Sequence, residues 1–81
     1  MKVLKITGTS SEMLVYLKDG SVLQLEGEFT QGGFAAYIST MRLKGSDRAL
    51  SEAEKEDYSR EILEYNRNRG NKDFRIELYP D

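Results

Sequence analysis

The fold is decided by the stretch EMLVYLKDGSVLQLEGEF, residues 12–29, in which two apolar runs flank the dipeptide Asp19-Gly20. Asp-Gly supplies the positive φ angles of a type I′ turn, the commonest two-residue connection of a β-hairpin. With Asp19-Gly20 as the loop, Leu17 faces Val22, and the pairing continues outward along both strands. The stretch therefore predicts an antiparallel hairpin centred on this turn.

This register assigns the side chains of the hairpin to two faces, because alternate residues of a strand point to opposite sides of a sheet. We expect one face to be buried, and it carries Leu14, Tyr16, Leu23 and Leu25. We expect the opposite face to be open, and it carries Met13, Val15, Leu17 and Val22 beside Gln24 and Glu26.

A second turn signal supports the same buried face. The segment Thr30-Gln31-Gly32-Gly33 is a glycine-containing loop of hairpin length. Pairing Phe29 with Phe34 across this loop places Gly27 opposite Ala36. The side chains that then join the Leu23/Leu25 face are Phe29, Phe34, Ala36 and Ile38. Two independent turns agree, which supports the register.

A short strand is predicted at Val3–Thr7, before the first hairpin. A strict four-residue loop after this strand would place Lys5 opposite Leu14, on the face expected to be buried. We therefore expect a bulge or a different loop length, so that Leu4 and Ile6 point inward.

A helix is predicted after Ser51-Glu52-Ala53-Glu54, which is a capping box. Tyr58, Ile62 and Tyr65 recur at helical spacing and form a narrow apolar stripe, flanked by Leu63. Gly70 is a natural stop for this helix. The helix should therefore pack one side on a sheet and leave the rest in water.

A last strand is predicted where Phe74, Ile76 and Leu78 alternate with polar residues and Tyr79. The fold class is therefore α+β, a single domain covering residues 1–81. We expect an antiparallel meander of three strands, one long helix packed on one face and a C-terminal strand, in the order β-β-β-α-β. The last strand could lie beside the first or the third strand of the meander.

Composition excludes several classes of function. The chain has 81 residues and a formal net charge of −2, with no Cys and no His. This predicts no disulfide, no zinc site of the usual kind, no catalytic Cys or Ser-His pair, and no cofactor. A slightly acidic chain has no basic field for nucleic acid, and the apolar runs are too short for a membrane span or a signal peptide. We expect a cytoplasmic protein.

Two carboxylates, Glu26 and Glu28, lie on one face of a predicted strand, about 7 Å apart by strand geometry. Their spacing permits acid–base chemistry. However, both should point into water, and exposed carboxylates lack the burial that tunes a catalytic acid. We therefore interpret them as part of a solvated face, and we expect no catalytic residue and no metal ligand. The acidic first half of the helix is interpreted in the same way.

The more informative feature is the open sheet face, because one helix covers only one side of a sheet. In the predicted register its rows are Met13–Glu26–Tyr37, Val15–Gln24–Ser39 and Leu17–Val22–Met41. An apolar patch with a polar stripe on a small protein is typical of a contact surface. The residues predicted to bind a protein partner are Met13, Val15, Leu17, Val22, Glu26, Glu28, Tyr37 and Met41. The partner could be another protein or a second copy, which would make a homodimer.

The order of motifs along the chain resembles a family of bacterial immunity proteins, the one called immunity protein seventy-four. The motifs are a hairpin, then Leu25-Glu26-Gly27-Glu28-Phe29, then Gly32-Gly33-Phe34, an aromatic at Tyr37, and Leu50-Ser51-Glu52 leading with Glu54 into the helix. This sequence has Met41-Arg42-Leu43-Lys44-Gly45 where that family often has a Trp and a Pro. The resemblance implies a cytoplasmic, non-catalytic protein that neutralises a toxin domain by binding it. The alternative function is a small structural or regulatory domain that forms a homodimer through its open sheet face.

Overall fold

The computed structural model describes residues 2–68 and 75–80. The strands are β1 (Val3–Gly8), β2 (Glu12–Leu17), β3 (Val22–Thr30), β4 (Gly33–Tyr37), β5 (Arg42–Leu43) and β6 (Arg75–Tyr79). A 3-10 helix spans Ile38–Thr40, and the α-helix α1 spans Glu52–Asn68. The predicted helix stop at Gly70 and the predicted strand residue Phe74 lie outside the described residues.

The strands form one curled, mixed sheet with the order β1-β2-β3-β4-β6, and β5 pairs with β3 off this path. The α+β class is confirmed, and the described residues contain one α-helix, as predicted. The predicted three-stranded meander is smaller than the sheet, which has six strands within residues 2–68 and 75–80. The last strand, whose place was left open, lies beside β4 and runs parallel to it.

The register of the first hairpin differs from the prediction by one residue. Tyr16 pairs with Val22 and Val15 with Leu23, so the loop has three residues. Non-glycine residues in the described part of the chain all have negative φ, and only Gly20 in this loop is left-handed, at φ 95°. A type I′ turn needs positive φ at both central residues, whereas a three-residue loop with a bulge needs it only at the glycine.

Asp19 is held out of the left-handed conformation by its own side chain. The Ser21 N–H donates to Asp19 Oδ1 at 2.8 Å, and this bond lowers the pKa of the Asp19 carboxyl. The Gly20 N–H donates to the Leu17 carbonyl, and the Leu17 N–H donates to the Ser21 carbonyl. These bonds close a turn at 17–20 followed by the glycine bulge, and they shift the register by one.

A shift of one residue moves every side chain of β2 to the other face. Met13, Val15 and Leu17 are therefore buried in the core, with exposed fractions of 5% or less. Leu14 and Tyr16, predicted to be buried, lie on the opposite face and are partly exposed. The prediction was wrong for β2, whereas it was correct for Leu23 and Leu25 on β3, which are fully buried.

The second hairpin has the predicted register. Phe29 pairs with Phe34, and Gly27 pairs with Ala36. Phe34 and Ala36 are buried as expected, but Phe29 is 53% exposed. Ile38, predicted to continue this strand, begins the 3-10 helix instead.

The first strand contains the predicted bulge, located between Val3 and Lys5. The bulge places Leu4 in solvent and turns Val3 inward, where it is 2% exposed. Ile6 packs against the core as predicted. The inward position predicted for Leu4 was wrong, because the bulge falls at Leu4 itself.

The capping box of α1 is confirmed. The Glu54 N–H donates to Ser51 Oγ at 3.1 Å, and the Ser51 N–H donates to Glu54 Oε1 at 3.0 Å. Arg48 adds two bonds to the same carboxylate at 2.9 and 3.0 Å. The Arg48 guanidinium and the Ser51 N–H lower the pKa of Glu54 to about 2.

One side of α1 packs on the inner face of the sheet. Ile62 is fully buried, and Tyr58 and Tyr65 pack partly buried beside it, as the stripe predicted. The helix also touches both outer strands. The Lys2 N–H, beside β1, donates to Glu61 Oε1 at 2.6 Å, and the Ile76 N–H of β6 donates to Asn66 Oδ1 at 3.2 Å. The core side chains are Val3, Met13, Val15, Leu17, Leu23, Leu25, Phe34, Ala36, Met41, Leu50, Ile62 and Ile76.

Candidate interaction surface

The outer sheet face is the side of the sheet that points away from the core and from α1. The strand registers place on it Lys5, Thr7, Glu12, Leu14, Tyr16, Val22, Gln24, Glu26, Glu28, Ala35, Tyr37, Arg42, Glu77 and Tyr79. Apart from Ala35, each of these residues is exposed or partly exposed. The prediction of an open sheet face therefore holds, although its residues differ from those expected.

An apolar part of the outer sheet face is built from β1, β2 and β3. Lys5, Tyr16 and Val22 form one cross-strand row, and Leu14 belongs to the next. The Lys5 Nζ lies 4.8 Å from the centre of the Tyr16 ring, where a cation is attracted by the ring face. The lysine stem and the ring thus cover apolar surface while their polar ends remain in water.

An acidic part adjoins it. Glu12 on β2 lies directly opposite Glu26 on β3. Further along β3, Glu28 pairs with Ala35, whose other neighbour is Glu77 on β6. Like charges directly opposite each other destabilise a sheet, so the opposition of Glu12 and Glu26 lowers the stability of the free protein.

Arg42 is the basic residue that offsets part of this charge. Its Nη1 lies 3.3 Å from Glu26 Oε2 and donates to the Thr40 carbonyl at 3.0 Å. In the described part of the chain, Glu12 and Glu28 have no such ion pair. The acidic part therefore keeps a surplus of negative charge.

The 3-10 helix is what positions Arg42. It inserts between β4 and β5, which both run antiparallel to β3, and it leaves the Glu26 N–H without a backbone acceptor from the strand opposite. Thr40 replaces that acceptor, because its Oγ1 accepts from the Glu26 N–H at 2.8 Å and donates to the Tyr37 carbonyl at 2.6 Å. One threonine hydroxyl thus fixes the backbone beneath the Glu26–Arg42 pair.

Two tyrosines continue the face onto β4 and β6. The rings of Tyr37 and Tyr79 lie 6.4 Å apart. The Tyr79 hydroxyl donates to Glu77 Oε2 at 2.6 Å. This bond, together with the nearby negative charge, raises the pKa of Tyr79.

The predicted partner-binding residues divide into two groups. The structure brings Val22, Glu26, Glu28 and Tyr37 together on the outer sheet face. It buries Met13, Val15, Leu17 and Met41 in the core, so the expectation that these four form an open face was wrong. The cause for the three residues of β2 is the one-residue shift at the turn.

Sequence reasoning missed Leu14, Tyr16, Glu12 and Glu77 as members of this face. A signal for the first two was present. β2 is apolar at five consecutive positions, so alternation could not choose between its faces, but Tyr16 carries a hydroxyl that favours the wet side of a sheet. Glu77 could not be placed without knowing the position of the last strand.

In the described part of the chain, no group of three or more acidic side chains is placed to hold a metal ion. Within residues 2–68 and 75–80, no helix has the length and apolar content of a membrane span. Comparisons of the chain with protein-family models, with curated proteins and with solved structures found no match in any of the three.

Proposed function

We propose that this is a non-catalytic protein-binding domain that docks a basic protein partner on its outer sheet face. In its most concrete form the partner is a bacterial toxin domain, and binding in the cytoplasm neutralises it. The observation that carries the proposal is the opposition of Glu12 and Glu26 across two strands, with Glu28 and Glu77 on the same face.

The physical argument is one of charge complementarity. Carboxylates directly opposite each other on two strands, as Glu12 and Glu26 are, reduce the stability of the free protein. A lysine or arginine of a partner relieves this repulsion, so part of the binding free energy comes from strain that the free protein already carries. Charge complementarity also raises the rate of association and discriminates against acidic proteins.

The apolar part of the outer sheet face supports a binding role for the same face. Leu14, Tyr16 and Val22 lie next to the carboxylates, so one partner surface can contact both. Tyrosine is enriched in the centre of protein interfaces because it contributes large contact area with few rotatable bonds. The partner surface that fits is apolar in one part and basic in the other.

A binding role is favoured over catalysis by the contacts of Glu26. Its carboxylate is engaged by Arg42, and both side chains are substantially exposed, at 59% and 42%. An acid–base pair needs a cleft that excludes water, whereas these groups lie on an open sheet.

The second candidate is the homodimer, with the outer sheet face packed against its own copy. The apolar part of the face, formed by Leu14, Tyr16 and Val22, favours it, because an uncovered sheet face can bury such residues by packing against a second copy. The carboxylates oppose it, because a symmetric contact centred on Glu12 and Glu26 brings four like charges together.

The test is co-purification of the tagged protein from its native cells, with mass spectrometry of the bound proteins and light scattering of the purified chain. We expect a stoichiometric basic partner whose binding weakens with salt, since salt screens exposed charges. Glu12→Lys and Glu28→Lys should each abolish capture. Glu56→Lys, the same change on the helix, should not. A clean dimer without a partner would replace the proposal with the homodimer, and equal loss in all three variants would refute the role of the outer sheet face.

A further inference from the structure

The hydrogen bonds between β1 and β2 determine which backbone N–H and C=O groups of β1 remain free. The Thr9 N–H donates to the Glu12 carbonyl, and Thr7 pairs with Leu14. In an antiparallel ladder, alternate residues point their N–H and C=O to the same neighbour. Lys5 and Thr7 therefore bond to β2, whereas the N–H and C=O of Ile6 and Gly8 point outward from the sheet.

The other sheet edges in the described residues are short or partly obstructed. On β6, the outward N–H of Ile76 is taken by Asn66, and Pro80 after this strand has no N–H to donate. β5 has only two residues. The first half of β1 is interrupted by the bulge at Leu4, and bulges protect edges from pairing. Ile6–Gly8 is thus a short segment of open edge.

An apolar cleft of about 220 Å³ adjoins this open edge. It is lined by Ile6, Gly8, Met13, Phe29 and Phe34, together with Thr7. The Phe29 ring stands edge-on to Phe34 at 5.4 Å and remains 53% exposed. Gly8 has no side chain on this wall, which leaves room for a side chain from a neighbouring strand.

We propose that the open edge Ile6–Gly8 accepts an extended segment of another protein as an added antiparallel strand, with its side chains anchored in this cleft. Strand addition of this kind takes its affinity from main-chain hydrogen bonds and its specificity from pockets for alternate side chains. The segment's residues opposite Gly8 and Ile6 point into the cleft. The residues opposite Thr7 and Lys5 point to the outer sheet face.

The charge of Lys5 determines which side chain is favoured at the segment position opposite it. Lys5 lies over Tyr16 and has no carboxylate partner in the described part of the chain. An acidic side chain opposite Lys5 supplies one, and opposite charges on facing strand residues stabilise the pairing. The recognised segment therefore has the order apolar, any, apolar, acidic. A large apolar residue is favoured first, because it faces Gly8.

The proposal is tested with the isolated protein and the blocked peptide Ser-Phe-Thr-Val-Glu-Thr, followed by NMR of the backbone amides. We expect the amide chemical shifts of Ile6, Gly8 and Phe29 to change as the peptide is added. A dissociation constant above about 1 mM would refute the site. N-methylation of the peptide's Val removes an N–H that points to β1 and should abolish binding. N-methylation of its central Thr removes an N–H that points away and should be tolerated. Equal effects of the two N-methyl groups would refute strand addition.

Variants of the protein add a second readout. Phe29→Ala removes one wall of the cleft and should weaken binding by about tenfold, whereas Leu4→Ala, an exposed residue of the same sheet edge, should have no effect. Lys5→Glu should weaken binding of the peptide that carries Glu and strengthen binding of a peptide with Lys in place of that Glu. Unchanged preference in this charge swap, or a protein dimer whose β1 amides are protected from exchange, would overturn the proposal.

This site lies at the edge of the sheet, separate from the carboxylates of the outer sheet face. Loss of peptide binding leaves the proposed function standing, and failure to capture a basic partner leaves strand addition standing.

Discussion

Val15→Thr and Val22→Thr make the same chemical change on opposite faces of the sheet. Threonine keeps the size and β-branching of valine, so strand propensity and packing volume change little. If the first hairpin had the two-residue turn predicted from the sequence, both positions would lie on the open face and neither variant would lower the free energy of unfolding by much. In the structure, Val15 is fully buried while Val22 lies on the outer sheet face, so the two variants should behave differently.

The expected size of the effect follows from the surroundings of Val15. Its cross-strand neighbours Ile6 and Leu23 offer no hydrogen-bond acceptor from their side chains. The variant loses the transfer free energy of one methyl group, about 0.8 kcal/mol, and buries an unpaired hydroxyl, about 1–3 kcal/mol. The free energy of unfolding should therefore fall by about 2–4 kcal/mol, which for this size of domain lowers the melting temperature by about 8–30 °C.

Urea unfolding followed by circular dichroism measures this difference. An 81-residue protein has a free energy of unfolding of roughly 4–12 kcal/mol, so Val15→Thr should still fold. Val22→Thr should lie within about 0.5 kcal/mol of the parent. Equal destabilisation by the two variants, or a larger effect at Val22, would refute the observed register.

Three further predictions concern single contacts. Because Arg48 and the cap lower the pKa of Glu54 to about 2 from its ordinary 4.5, its contribution to stability is complete above pH 4.5 and is lost as pH falls towards 2. In Glu54→Gln the melting temperature should therefore depend less on pH over that interval. An unchanged pH dependence would contradict the stabilising role of the Glu54 carboxylate. Thr40→Val leaves the Glu26 N–H without its acceptor and should cost about 1–2 kcal/mol in urea unfolding, whereas Thr40→Ser should keep the bond. Gly27→Ala places a Cβ 2.0 Å from a carbonyl oxygen of the facing strand, so we expect a loss of about 3 kcal/mol or more. A melting temperature near that of the parent would rule out the close approach of β3 and β4.

The helix and the second hairpin could be predicted from the sequence, because each is determined by residues close together in the chain. The capping box at Ser51 and the stripe around Ile62 are confirmed because each depends on neighbours three or four residues away. The Phe29–Phe34 pairing is confirmed because it also depends on a local signal, the four-residue loop 30–33 between the two residues. The short-range signal failed at Asp19-Gly20, because the dipeptide is compatible with two loop lengths.

The consequence of that failure was large because β2 has no charged residue between Glu12 and Lys18, and the Tyr16 hydroxyl is the one polar group there that indicates its orientation. The candidate surface could therefore be predicted as a feature of the fold but not as a set of residues. Glu26, Glu28 and Tyr37 were placed correctly because β3 alternates cleanly and β4 follows it. Glu77 could not be placed, since the partner of a last strand depends on where the helix leads the chain.

The contacts of α1 with both outer strands bear on how the chain is completed during synthesis. Lys2 and Glu61 are separated by 59 positions, so their bond forms only after the helix has been translated. The antiparallel hairpins join nearby residues and can pair earlier, with the inner face of the sheet left uncovered until α1 packs on it. Slower translation of the segment between β5 and α1 would lengthen that exposed interval. The nascent chain is therefore most vulnerable to aggregation just before its helix emerges from the ribosome.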